Sequence, residues 1–247
     1  MNPVHCNLVG VTGEKLFFFE RPRHVSIYDY SKGDWIFDKN ISDKNDVNIN
    51  DVVVGPDGTT YIAGHYQDKT HNNGGGAATL WTISSDQKTV TETIMHNGST
   101  YEYTALSVTV DSGGHVWVLT NLDSAYGNGG MKLYKDGKYQ RVIYKDNNGN
   151  FTHYIRSHGN DLYVVTGVGA QARTIRVYQF KNGNLNSQTI AYTITHPNFF
   201  LPDNLFISKN GDVYFSAHCH TDNKSYLYKN GQELYSAEMI SSMAVVY

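Results

Sequence analysis

NLFISKNGDVYFSAHC, residues 204–219, reads as a strand, a tight turn and a second strand. Leu205 and Ile207 alternate with polar neighbours at the period of two that a half-buried strand shows. Asn210-Gly211 supplies the positive backbone angle of a hairpin, and Val213-Tyr214-Phe215 begins the return strand. Four other segments repeat the pattern: NLVGVTGEKLFFFE (7–20), DVVVGPDGTTYIAGH (51–65), LSVTVDSGGHVWVLTN (106–121) and HYIRSHGNDLYVVTG (153–167). Aligned on Gly13, Gly58, Gly113, Gly159 and Gly211, the copies recur about every 50 residues, a period that belongs to repeat architectures.

Each copy, a strand a and a strand b, is followed by a strand c with an aliphatic–aromatic pair: Ile27-Tyr28, Leu80-Trp81, Leu133-Tyr134, Val177-Tyr178 and Leu227-Tyr228. In four copies strand c runs into Lys32-Gly33, Asp136-Gly137, Asn182-Gly183 or Asn230-Gly231 and then a fourth strand, such as Trp35–Asp38, Tyr139–Tyr144 or Glu233–Tyr235. Four antiparallel strands per repeat is the content of a propeller blade, so the sequence predicts an all-β, five-bladed β-propeller. The blades fall at about 7–43, 51–95, 105–146, 153–193 and 204–238, in a single domain over 1–247. Ser241–Tyr247, SSMAVVY, has the look of one more strand a. It is expected to close the ring by pairing into the first blade; capping an edge or opening a further blade are the alternatives.

Apolar positions recur at two, and Gly, Asn and Asp break every interval, so almost no helix is expected. A net charge of −3 and the absence of a long Lys/Arg run argue against nucleic acid. Apolar runs such as Leu16–Phe19 fall far short of a spanning helix, which argues against membrane insertion. Low charge, 19 Tyr and 23 Gly favour a secreted or cell-surface protein, although Met1–His5 shows neither the charged nor the apolar region of a signal peptide. Gly74-Gly75-Gly76 reads as a loop rather than a phosphate cradle, because no helix and no Gly-Lys-Ser/Thr follows.

The repeats resemble short secreted propeller blades of the D/N-G-x-V-Y/W-V type, and their number resembles the five-bladed lectin propellers of the tachylectin-2 type. That resemblance implies a binding propeller and carries over no residue roles. Gly55-Pro56-Asp57-Gly58-Thr59-Thr60-Tyr61 and Leu201-Pro202-Asp203-Asn204-Leu205 are similar to the blade motifs of gluconolactonase-like and streptogramin-lyase-like propellers. This second resemblance implies an enzyme alternative, a metal-dependent lactonase or lyase with Glu20, Asn121 and Asp203 around a divalent cation.

Starts of strand a and ends of strand b share one rim of a propeller. The candidate ligand site there is Glu20, His65, Tyr66, Asn121, His153, Asp203 and His218: carboxylates, imidazoles, an amide and an aromatic ring that tight turns do not require. Carbohydrate fits such a set, since aromatic faces stack on sugar rings while Asn, Asp and His satisfy hydroxyls; a protein partner suits the same composition. No catalytic signature stands out: there is no Gly-x-Ser-x-Gly, His-Glu-x-x-His or Cys-x-x-Cys. His5, Cys6, His218, Cys219 and His220 fall together if the ring closes, leaving open a metal site, a Cys6–Cys219 disulfide or neither. Unperturbed rim histidines would make binding depend on pH between about 5.5 and 7.5.

Overall fold

The period-two alternation becomes strands in every repeat. The computed structural model describes residues 7–12, 14–44, 46–67, 76–97, 100–121, 130–145, 153–168, 173–219 and 221–238. The first blade is β1 (Asn7–Thr12), β2 (Lys15–Glu20), β3 (His24–Asp29) and β4 (Asp34–Asn40), and the second is β5 (Val47–Val54), β6 (Thr60–Gln67), β7 (Gly76–Ile83) and β8 (Val90–Ile94). A small ribbon, β9 (His96–Asn97) with β10 (Thr100–Tyr101), precedes the third blade, β11 (Thr104–Val110), β12 (Val116–Asn121), β13 (Gly130–Lys135) and β14 (Lys138–Lys145). The fourth is β15 (His153–His158), β16 (Asp161–Val168), β17 (Thr174–Phe180) and β18 (Thr189–Thr195); the fifth is β19 (Phe200–Ile207), β20 (Val213–Cys219), β21 (Lys224–Lys229) and β22 (Gln232–Glu238).

Each blade is a four-stranded antiparallel meander in chain order, so the fold is all-β with five β-propeller blades. Helix among the described residues amounts to two 3₁₀ turns, Lys181–Gly183 and Leu185–Ser187, and no helix there is long and apolar enough to cross a membrane. The chain forms two compact units: one holds the first three blades, the other holds the last two together with the β11–β12 turn, Asp111–His115. The segment 241–247, expected to close the ring, lies outside the described residues, as do His5, Cys6 and His220.

Turn chemistry explains the spacing. Asp136, Asn182 and Asn230 have φ of 50°, 53° and 49°, and the glycines after them are also left-handed, the mirror-image turn that matches strand twist. Asp136 Oδ1 accepts the Val116 N–H at 2.9 Å and Asn230 Oδ1 the Val213 N–H at 2.8 Å, which ties this turn to the first residue of strand b. Gly58, Gly114 and Gly211 close a common a–b turn, their N–H groups donating to the carbonyls of Gly55, Asp111 and Ser208. The third copy therefore aligns on Gly114 rather than Gly113, whose N–H is instead taken by Asp111 Oδ1 at 2.9 Å.

Strand c aligns across all five blades: Ile27, Leu80, Leu133, Val177 and Leu227 oppose Phe17, Ala63, Leu119, Val165 and Ser216. The aromatic residue that follows is buried in four blades, as Trp81, Tyr134, Tyr178 and Tyr228, and Tyr28 is partly buried edge-on to Trp35 at 5.2 Å. In the first unit Trp81 packs with Phe17, Phe19, Val52 and Ile62 between blades 1 and 2, while Tyr134 packs with Ala63, Leu80, Ala105 and Val108 between blades 2 and 3. In the second unit Tyr228 packs with Val165, Val177, Phe200 and Phe215 between blades 4 and 5.

One irregularity positions the side chains that follow. Strand a skips a residue in its pairing with strand b at Val9, Asn50, Leu106 and Asp203, whereas β15 pairs without interruption. A bulge re-aims the extra side chain out of the pleat, a device frequent beside binding sites.

Candidate functional site

The register fixes which residues are equivalent at the ends of strand b. Counting from the bulges, Phe19, His65, Asn121 and His218 stand in one position, and counting from strand c adds Gly167. Phe19, His65 and Asn121 are in the first unit, Gly167 and His218 in the second.

In the first unit, His65 is built into a polar corner between blades 2 and 3. Its Nδ1 lies 3.0 Å from Thr104 Oγ1, and its ring stacks on Tyr103 with centroids 5.9 Å apart. The bulged Asn50 reaches the same hydroxyl, donating from Nδ2 to Thr104 Oγ1 and to the Ala105 carbonyl, both at 2.8 Å. Thr104 pairs in turn with Asn121, and Asn48, the strand partner of His65, accepts from Arg21 Nη2 at 3.3 Å. Gly76 closes the corner: a Cβ there would sit 2.5 Å from the Tyr103 carbonyl and 3.0 Å from the His65 ring. Burial pushes the His65 imidazole below its ordinary pKa, so the ring is neutral at physiological pH. A titration across 5.5 to 7.5, as expected from an unperturbed ring, therefore moves to lower pH at this residue.

In the second unit the bulged Asp203 accepts a hydrogen bond at Oδ1 from His218 Nδ1. His218 and Cys219 leave opposite faces of β20, and Cys219 is a free, buried thiol packed toward blade 4. Its neighbours were not among the residues expected at the rim. Asp222, in the turn before β21, and His196, in the link between blades 4 and 5, present ligand atoms that lie with the Cys219 sulfur within 4.8 Å of one another. Tyr226 donates to Asp222 Oδ2 at 2.9 Å.

The other expected residues have surroundings of their own. Tyr66 is buried in the core between blades 1 and 2, on the face opposite His65. Glu20 shares the position of Tyr66 and Cys219, one residue beyond that of His65, because the β1–β2 hairpin is tighter and Phe19 takes the rim position. His153 is buried, 5% exposed, with no hydrogen-bond partner for Nδ1 among the described residues, and burial drives its pKa down to about 3. Asp51 is a buried strut: Oδ2 accepts from Ser107 Oγ at 2.5 Å and Val108 N at 3.0 Å.

No protein-family model matches the chain, and no curated protein sequence matches it. Its likenesses are to solved structures. The Cps50 (Swd1) β-propeller domain of Myceliophteria thermophila superposes with a TM-score of 0.59 at 13% identity, over 94% of this chain and 73% of that one. A protein of unknown function from Bacteroides caccae gives 0.57 at 13% identity, over 94% and 81%. A gluconolactonase-like protein gives 0.53 at 15% identity, over 95% and 78%. At these identities the likeness is one of fold, and the fold it shares is the β-propeller.

Proposed function

We propose that this chain is a non-catalytic binding module that takes a small polar ligand, of carbohydrate class, on the face where strands b end. The observation that carries the reading is the His65 corner. A neutral imidazole, an amide, a hydroxyl and the Tyr103 ring converge there on residues that no turn or core requires, with the bulge at Asn50 spent on aiming one of them. Sugars are held by this combination of ring stacking and hydrogen bonds to neutral donors and acceptors. Abundant tyrosine and low charge support a place outside the cell or on its surface. A glycan array with the purified chain tests the reading. Binding that His65→Ala or Tyr103→Ala weakens at least about tenfold, with folding intact, supports it; binding indifferent to both places the site elsewhere.

A protein partner is the second reading, and a structural neighbour favours it: KlAtg21, similar by a TM-score of 0.54 at 10% identity, was solved in complex with the coiled coil of AgAtg16. An empty glycan array together with a partner whose capture is lost in Tyr103→Ala would select it. The lactonase or lyase alternative places a divalent cation on Glu20, Asn121 and Asp203. What speaks against it is that Glu20 leaves its strand on the face opposite to the one Asn121 uses.

A further inference from the structure

The first residue after strand d has one backbone duty in three blades. Ile41, Met95 and His196 donate their N–H groups to the carbonyls of Arg23, Ala78 and Arg173, at 3.1, 2.8 and 2.8 Å. Ile41 and Met95 use their side chains as apolar plugs, 3% and 0% exposed. In the fourth blade the plug is an imidazole, which the fold does not require there. The His196 ring is clamped by Phe200, stacked at 4.9 Å, and by the edge of Tyr226 at 5.5 Å, so its Nε2 has a fixed aim. It points at Asp222 Oδ2, 3.7 Å away, and at Tyr226 Oη, 3.4 Å away. The Asp222 separation is too long for a hydrogen bond, while Tyr226 Oη is within reach of a weak one. The Asp222 separation is near the roughly 3.4 Å edge between two ligands that each sit about 2.0–2.1 Å from one tetrahedral zinc ion. Cys219, fully buried, completes the set from β20.

We infer that His196 Nε2, Cys219 Sγ and an Asp222 carboxylate oxygen form a site for a zinc-type divalent ion that staples the link between blades 4 and 5 to the end of β20. The mixed nitrogen, sulfur and oxygen set selects a borderline-soft ion over calcium or magnesium, which take oxygen ligands. Tyr226, hydrogen-bonded to Asp222 at 2.9 Å, orients that carboxylate from outside the first ring of ligands, and the half-open Asp222 side leaves the fourth position to water. Binding releases the thiol proton of Cys219. It also moves the imidazole proton from Nε2 to Nδ1, so the 3.2 Å bond that Nδ1 accepts from Asn198 N–H has to give way in the metal-bound form. The site is independent of the rim corner, and its failure leaves the ligand-binding reading untouched.

The test is a titration of chelator-treated protein with Zn²⁺ by calorimetry and with Co²⁺ by absorption. One ion per chain is expected, with a thiolate-to-cobalt charge-transfer band that Cys6→Ser keeps and Cys219→Ser abolishes. His196→Met, which installs the residue that Met95 places at the equivalent position, should weaken binding at least about 100-fold, and Asp222→Asn at least about tenfold. Asp222 is on an exposed turn, so its variant keeps the test decisive if a buried substitution fails to fold. Zinc affinity unchanged by His196→Met and Asp222→Asn, or a cobalt complex without the thiolate band, overturns the proposal.

Discussion

His153 gives the most direct handle on the energetics of the second unit. The side chain opens β15, is almost entirely buried, and finds no partner for Nδ1 among the described residues, so burial favours the neutral ring. Burial lowers its pKa from 6.5 to about 3. In the unfolded chain the ring protonates near 6.5, so between that value and about 3 the unfolded state holds one proton more than the folded state. The stability this histidine contributes is therefore whole above pH 6.5 and is lost progressively as pH falls toward 3. At pH 4.5 the ratio of protonated to neutral ring in the unfolded state is about 100 to 1, which converts to a loss of roughly 2–3 kcal/mol. Against a typical total of about 5–15 kcal/mol that is a large fraction. His153→Leu removes the titration and the orphaned nitrogen together. Urea unfolding followed by far-UV circular dichroism at pH 7.5 and 4.5, for both proteins, isolates the term, because every other titrating group contributes alike to each. The wild type should lose about 2–3 kcal/mol more than the variant on acidification. Equal losses would refute the buried, neutral assignment.

Three further outcomes follow from contacts in the first unit. Lys132 donates to the fully buried Glu102 at 2.6 Å, so Lys132→Met strands a carboxylate that, among the described side chains, the Tyr134 hydroxyl alone still serves; a cost of about 3–5 kcal/mol in urea unfolding is expected, largely restored by adding Glu102→Gln. Trp81→Ala empties a fully buried site and breaks the indole bond to Glu92 at 2.9 Å, which should cost about 3–5 kcal/mol; a loss under about 1 kcal/mol would contradict its place between blades 1 and 2. Gly64→Ala places a Cβ 2.0 Å from the Asn48 carbonyl, so β5 and β6 must part. A loss above about 2 kcal/mol and a shifted His65 amide resonance are expected, and an unperturbed spectrum would contradict the close strand approach.

The blade count, the strand order and the alignment of strand c were legible because each rests on local signals: alternation, Asn-Gly and Asp-Gly turns, and an aromatic at a fixed place. What the sequence could not show are events that change register by one. Alignment on Gly13 assigns Glu20 to the rim, but Thr12 pairs directly with Lys15 across a shorter turn, and Phe19 takes the position instead. A bulge leaves no reliable mark either: Val9, Asn50, Leu106 and Asp203 share a geometry and no chemistry. His153 looked like a rim residue because it is polar at a strand start, and only packing reveals it as buried. His196 was missed for a different reason. Its signal is comparative, a histidine where the ends of strand d in blades 1 and 2 carry Ile41 and Met95, and strand-d ends are the least regular part of the repeat.

The two faces of strand b then divide the labour. Toward the preceding blade, the final position holds Tyr66 in one blade and Cys219 in another, both buried, and what fills it is decided by packing or by the His196 and Asp222 groups it meets. On the opposite face of strand b, the position before it holds Phe19, His65, Asn121, Gly167 and His218, an aromatic, two imidazoles, an amide and a bare backbone on the same scaffold. A backbone that accepts both phenylalanine and glycine there is not what selects histidine at residue 65. The imidazole is held by Thr104, stacked on Tyr103 and kept neutral by burial, so it offers a ligand one ring nitrogen and an aromatic edge rather than a charge. Neutral hydrogen bonding beside a stacking ring is poor equipment for an anion and good equipment for a hydroxyl-bearing ring, which is why the carbohydrate reading proposed above rests on this one corner more than on the composition of the whole chain.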